Sequence, residues 1–166
     1  MAMDSESSKT AAPGFPRNLE SRDEYGLLAD ILQDWENDTH GVKAAFLRLL
    51  HKLTSMENSH LTFKSRPGIS HSLRASIRLA DHKRDRICTL IDIIDDDPLS
   101  RWLSVCFYED AITDDQGSGN LIPKGILGED GYCFDLFEYD EELLVYLEGK
   151  IDEAFRMVLS CMCRRR

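Results

Sequence analysis

The spacing of apolar residues changes abruptly near residue 60, and no other feature constrains the fold as tightly. Val42, Ala45, Phe46, Leu49, Leu50, Leu53 and Met56 recur at the interval of one helix face. From Ile69 to Leu79 the period is two: Ile69, His71, Leu73, Ala75, Ile77 and Leu79 alternate with Ser70, Ser72, Arg74, Ser76 and Arg78. A helical period cannot place its apolar residues on one side of a strand, nor the reverse. The chain must therefore combine both element types.

The flanking segments extend the pattern in both directions. Ser21 to Glu24 reads SRDE, a capping box whose hydroxyl and carboxylate can each satisfy a free backbone amide. It opens a helix striped by Leu27, Leu28, Ile31, Leu32 and Trp35, and a short polar break before Gly41 predicts an antiparallel helical hairpin with the next helix. Leu61 and Phe63 alternate with Thr62, Lys64 and Arg66, and Pro67 and Gly68 stand where a type II turn requires them. Ile87 to Ile94 is apolar on both faces apart from Thr89 and Asp92, as a central strand would be. After DDDPLS, the run RWLSVCFY predicts a fourth strand. Ala111 to Gly131, with five glycines and Pro123, reads as a long loop, and YCFDLF as a short fifth strand. A last helix opens near Asp140 with Asp140, Glu141 and Glu142 at its positive dipole end. Leu143, Leu147, Ile151, Ala154, Phe155 and Val158 form its stripe, and Arg164, Arg165 and Arg166 close it.

The expected fold is α+β: an N-terminal helical hairpin, an antiparallel meander of four to five strands, and a C-terminal helix packed on one face of the sheet. Residues 1–18 are small, polar and proline-containing and are expected to form a disordered leader. Residues 19–163 form the single domain, and 164–166 a basic tail.

Composition narrows the function. No apolar run approaches the roughly 20 residues that cross a bilayer, and the N-terminus lacks the apolar core of a secretory signal, so the expectation is cytoplasmic with no membrane partner. Five cysteines, an odd number, are expected to be reduced thiols, with Cys88 and Cys106 as small core residues. The net charge of −10 argues against nucleic acid as the main partner. That charge is unevenly spread. Lys64 to Arg86 holds seven Lys/Arg against two Asp, whereas Asp92 to Glu153 holds eighteen Asp/Glu against Arg101, Lys124 and Lys150.

If Leu61 and Phe63 face the core beside Ile69, Leu73 and Ile77, then Thr62, Lys64, Arg66, Ser70, Ser72, Arg74, Ser76 and Arg78 share the other face. Four cations and four hydroxyls there would form an anion-binding or partner-binding surface; the plain alternative is the solvated side of an antiparallel sheet. His71 and Tyr108 are added as pocket-lining candidates. Ser70, His71 and Ser72 make no nucleophilic pair, because sequence neighbours on a strand point to opposite faces. Asp92, Asp97 and Glu109 at strand ends are candidate ligands for a divalent metal, with Arg74 holding a phosphate. Asp92, between Ile91 and Ile93, needs a partner if covered, and Arg74 is one candidate. Cys161 and Cys163 lack the second pair a structural zinc site needs, and no phosphate-cradling glycine motif occurs, so no cofactor is expected.

The leading expectation is a non-catalytic cytosolic domain that binds a protein partner or a small anionic ligand, using the basic hairpin face and the acidic loop and helix. The alternative is a divalent-metal-dependent phosphoester hydrolase. A third reading is a homodimer completed by the C-terminal helix stripe.

Overall fold

The computed structural model describes residues 18–79 and 86–164. Most of the expected leader, residues 1–17, and Arg165 and Arg166 of the basic tail lie outside them. The elements run α1 (Arg22–Asp34), α2 (Val42–Ser55), β1 (Ser59–Arg66), β2 (Ser70–Ile77), β3 (Arg86–Ile94), β4 (Trp102–Tyr108), β5 (Asn120–Ile126), β6 (Glu129–Leu136) and α3 (Glu141–Arg164). The architecture is α+β, with one six-stranded antiparallel sheet in the order β1-β2-β3-β4-β6-β5. β1 to β4 form the expected meander.

The sixth strand comes from the segment expected to be a loop. Gly117 and Gly119 do leave Ala111 to Gly119 without regular structure, but Asn120–Ile126 then pairs along β6 as the sheet edge. Pro123 cannot donate to a ladder and is tolerated because β5 has only one neighbour. The register slips between Ile122 and Ile126, and β5 closes onto β6 through Leu127 and Gly128, both at positive φ (50° and 86°). Two positive-φ residues give the right-handed twist a two-residue hairpin needs.

Most of the expected helical stripes are buried, but Leu144 takes the place expected of Leu143, which is half-buried like Met56, and Leu27 of α1 is exposed. Val42, Ala45, Phe46, Leu49, Leu50 and Leu53 are buried from α2, and Leu144, Leu147, Ile151, Ala154, Phe155 and Val158 from α3. α3 lies against β2 and β3, α2 contacts β1 and β4 and packs on α3, and α1 lies along β1. The core between them and the sheet takes Leu61, Phe63, Leu73, Ile91, Val105, Phe107 and Phe134. At one burial of about 25 cal/mol per Å² of apolar surface, this layer supplies most of the drive to fold. The α3 stripe is thus consumed inside the chain, which removes the basis for a homodimer completed by that stripe.

Charge holds the second layer in register. Arg48 on α2 reaches Glu148 (2.8 and 3.0 Å), Glu141 (2.7 Å) and the Tyr139 hydroxyl (2.9 Å), and Lys52 reaches Asp152 (2.7 Å). Lys150 meets Asp115 (2.8 Å) and Glu153 (2.9 Å), while the Tyr146 hydroxyl donates to Asp114 (2.8 Å), pinning the 111–119 segment to α3. Much of the acidic excess in the loop and helix is spent on these internal contacts. At the ends, Ser21 Oγ accepts from the Glu24 amide (3.1 Å) and Asp140 Oδ1 from that of Leu143 (3.0 Å), so α1 and α3 each begin on a side-chain cap. Among the described residues, no helix is long and apolar enough to cross a membrane.

Candidate functional site

The β1–β2 hairpin turns at Arg66–Ile69, where the Ile69 amide donates to the Arg66 carbonyl (3.0 Å) and Gly68 takes φ 75°. Antiparallel pairing then sets Thr62 opposite Arg74, Lys64 opposite Ser72 and Arg66 opposite Ser70. On the next strands Ser72 faces Asp92, Asp92 faces Ser104, Arg74 faces Leu90, and Leu90 faces Cys106. Side chains directly opposite share a face. Two rows therefore cross the side of the sheet away from the helices, Lys64–Ser72–Asp92–Ser104 and Thr62–Arg74–Leu90–Cys106.

That side is not simply solvated. Ser70, Ser72 and Ser76 are buried along with the core-facing residues of β2. The β5–β6 hairpin supplies a wall: Lys64, Ser65, Arg66, Ser72, Arg74, Leu90, Asp92 and Cys106 line a groove of about 480 Å³ together with Gly125, Ile126 and Leu127. Ile126 is buried, and it lies so close over Gly131 that a β-carbon there would occupy its side chain. Lys124 and Leu127 on this hairpin both sit at positive φ (53° and 50°). Such conformations cost on the order of 1–3 kcal/mol each for residues with a side chain and tend to gather at functional sites.

Several cations outside the groove are held by carboxylates. Arg48, Lys52, Arg86, Arg101 and Lys150 are each tied to a carboxylate. Lys64, Arg66 and Arg74 form no ion pair among the described residues; Arg66 donates to Ser70 Oγ (2.9 Å), and Arg74 only weakly to Ser72 Oγ (3.5 Å). Beside them lies Asp92, whose Oδ1 is buried without a hydrogen-bond partner. Burial pushes the Asp92 carboxyl above the usual carboxylate range, against the pull of the Ser72 hydroxyl and of the Arg74 and Arg66 charges. The expected Arg74 partner acts on Asp92 through its field; no ion pair joins them within 4.0 Å.

The three remaining ligand-binding candidates, His71, Arg78 and Tyr108, do not join the groove. His71 is wholly buried on the helix side, its ring between Ser65 Oγ (2.8 Å at Nδ1) and Asp95 Oδ2 (2.9 Å at Nε2). Asp95 in turn accepts from Arg101 Nε (2.5 Å), and the Arg101 guanidinium stacks over Trp35, 5.6 Å from its ring centre. Arg78 lies at the exposed end of β2, 3.6 Å from Glu20. Tyr108 is buried under Arg86, whose guanidinium carbon is 5.1 Å from the ring centre, and faces a separate acidic cleft with Glu109, Asp110, Glu129 and Asp130.

Ser65, His71 and Asp95 have the connectivity of a hydrolytic triad, assembled from Ser65, the cross-strand partner of His71, and not from Ser70 or Ser72. The hairpin turn was the available signal: pairing around Pro67–Gly68 puts residue 65 opposite 71. Position and burial argue against chemistry here. The Ser65 hydroxyl follows its strand parity to the helix side with His71, away from the groove cations. The network fastens the β1–β2 turn to the β3–β4 turn.

The metal candidates lie apart. Asp97 is in the turn before β4, and Glu109 just past its far end, so a seven-residue strand of roughly 3.3 Å per residue separates them. Asp92 is on the groove floor. Among the described residues no group of three His, Cys, Asp or Glu side chains is placed to hold a metal ion. The cysteines also differ from expectation: Cys106 and Cys133, opposite each other on β4 and β6 with Cα atoms 4.2 Å apart, form a disulfide, of which Cys106 lines the groove. Cys88 remains a thiol, its pKa pushed up to about 12 by burial.

What the residue alternation did not reveal is the wall. Gly125, Ile126 and Leu127 convert a basic face into a concave site, and only the β5–β6 pairing brings them there. No family model matches the chain, and neither a curated protein nor a solved structure matches it.

Proposed function

We propose that the protein is a non-catalytic cytosolic binding domain whose ligand is a small anion, held in the groove by Lys64, Arg66 and Arg74. The observation that carries this reading is the set of three adjacent cations that form no ion pair among the described residues, in a chain of net charge −10. Arg and Lys in a partly enclosed groove bind carboxylate or phosphoryl oxygens by charge-assisted hydrogen bonds, roughly twice as strong as neutral ones. A volume of about 480 Å³ suits a small molecule better than a protein segment, since ligand pockets run roughly 300–1,000 Å³. Leu90, Ile126, Leu127 and the Cys106–Cys133 bridge would cover an apolar body. A reducing compartment would hold that pair as thiols; the cations do not depend on it.

Calorimetric titration with ethyl phosphate tests the reading. Arg74→Glu should weaken binding at least tenfold, whereas Arg22→Glu, on the exposed start of α1, should leave it unchanged. Equal affinities for wild type and Arg74→Glu would refute the groove as the site.

A further inference from the structure

The groove holds one group that an anion alone does not use. Asp92 sits in the same concavity as Lys64, Arg66 and Arg74, and among the described residues nothing donates to its buried Oδ1. A pocket selected only for anions would gain by losing that carboxylate, because it weakens the attraction of all three cations at once. An acceptor left open at a buried position costs roughly 1–3 kcal/mol unless something donates to it. Asp92 and Arg74 are diagonal neighbours on paired strands, Asp92 opposite Ser72 and Arg74 opposite Leu90. Their backbones are thus roughly 7–8 Å apart. A ligand spanning them needs an acceptor end and a donor end separated by a few bonds.

We infer that the groove takes a small zwitterion, with a carboxylate or phosphoryl group on the Arg74 side and an ammonium paired with the Asp92 carboxylate where it lines the groove. This rests on the groove being an anion site. It adds that selectivity comes from Asp92, which rejects anions of the same size that lack the donor. An analogue without the donor leaves the carboxylate buried and unpaired, and such omissions are penalised more heavily than a missing methylene. Burial raises the Asp92 carboxyl above its usual range, so the ammonium binds best where the pH keeps that carboxyl ionised.

Matched pairs of probes test it on the full chain. Phosphoethanolamine and ethyl phosphate differ by the ammonium, as do γ-aminobutyrate and butyrate; the first pair reads a phosphoryl ligand and the second a carboxylate. For the pair that binds, the zwitterion should be at least tenfold tighter, a difference of 1.4 kcal/mol. Asp92→Asn should abolish that preference while binding the plain anion as well as or better than wild type. Cations alone give the opposite order, since ethyl phosphate carries more net negative charge. A wild-type preference for the plain anions, or none, overturns the zwitterion while leaving the anion site standing if Arg74→Glu still abolishes binding. The wild-type preference is decisive by itself should Asp92→Asn prove poorly folded. Failure of all four probes to bind at millimolar concentration overturns both readings.

Discussion

Asp92 and Asp95 stand three residues apart at one end of β3, both withdrawn from solvent, and the molecule treats them in opposite ways. Burial would raise the carboxyl of Asp95, but hydrogen bonds from Arg101 and His71 outweigh it and hold it below the usual range. Asp95 spends both oxygens, Oδ1 on Arg101 and Oδ2 on His71. Asp92 keeps one buried oxygen unspent, and burial wins. A carboxylate with all its partners inside the chain serves the fold. One beside cations that form no ion pair among the described residues, in a concavity, is the carboxylate that the proposed ligand would meet.

The largest effect expected from breaking this contrast is at Asp95. Replacement by alanine leaves Arg101, itself almost wholly buried, without a counter-charge, and removes the acceptor that orients His71. Stranding one member of a buried pair costs about 3–5 kcal/mol. Urea unfolding of Asp95→Ala should show a loss of that order, with ethyl phosphate affinity altered far less than by Arg74→Glu. A loss under 1 kcal/mol would mean that the network is ornamental, and that partner count does not separate the two aspartates.

A smaller effect is expected at Gly131, which lies against Ile126 of the groove's wall. A β-carbon there collides with the Ile126 side chain and approaches the Phe107 carbonyl oxygen to 2.9 Å. Overpacking of this kind costs about 1–3 kcal/mol. Because Ile126 forms the wall, Gly131→Ala should also weaken ethyl phosphate binding severalfold, as calorimetry would show. Unchanged affinity alongside lost stability would place the wall outside the site and leave only an open basic face.

The two aspartates were not equally legible in the sequence, and neither were the two sides of the sheet. The helix side follows from spacing alone: the α2 stripe and the alternation of Leu73, Ala75 and Ile77 each identify the buried residues directly. Lys64, Arg66 and Arg74 follow from the same alternation once the turn at Pro67–Gly68 sets the register. The wall does not, because β5 contains Pro123 and Gly125, carries a register shift, and has six of seven residues exposed, so it lacks the period that announces a strand. Ile69 falls in phase with the core residues of β2 yet is 58% exposed, because it belongs to the turn. His71 was recognisable as the odd polar residue on the apolar side, but its partners Ser65 and Asp95 come from pairing across strands.

The smallest and most discriminating effect concerns stability against pH. Asp92 has a folded pKa raised above its unfolded value near 3.9, so its contribution is fully present below that value and is lost as pH rises through the folded pKa. Asparagine removes the charge that burial penalises, so Asp92→Asn should match wild type near pH 3 and exceed it by about 1 kcal/mol at pH 7. Asp95 has the opposite sign: its folded pKa is lowered, and its contribution is present above about pH 3.9 and is lost as pH falls through the folded pKa. The deficit of Asp95→Asn should therefore shrink below pH 4, where that of wild type catches up. Denaturant unfolding of both variants from pH 3 to 7 would give gaps of opposite sign, each widening with pH. An Asp92→Asn gap that is flat, or a variant less stable than wild type at pH 7, would mean that the Asp92 carboxylate is already satisfied within the fold, leaving no unspent acceptor for a ligand to meet.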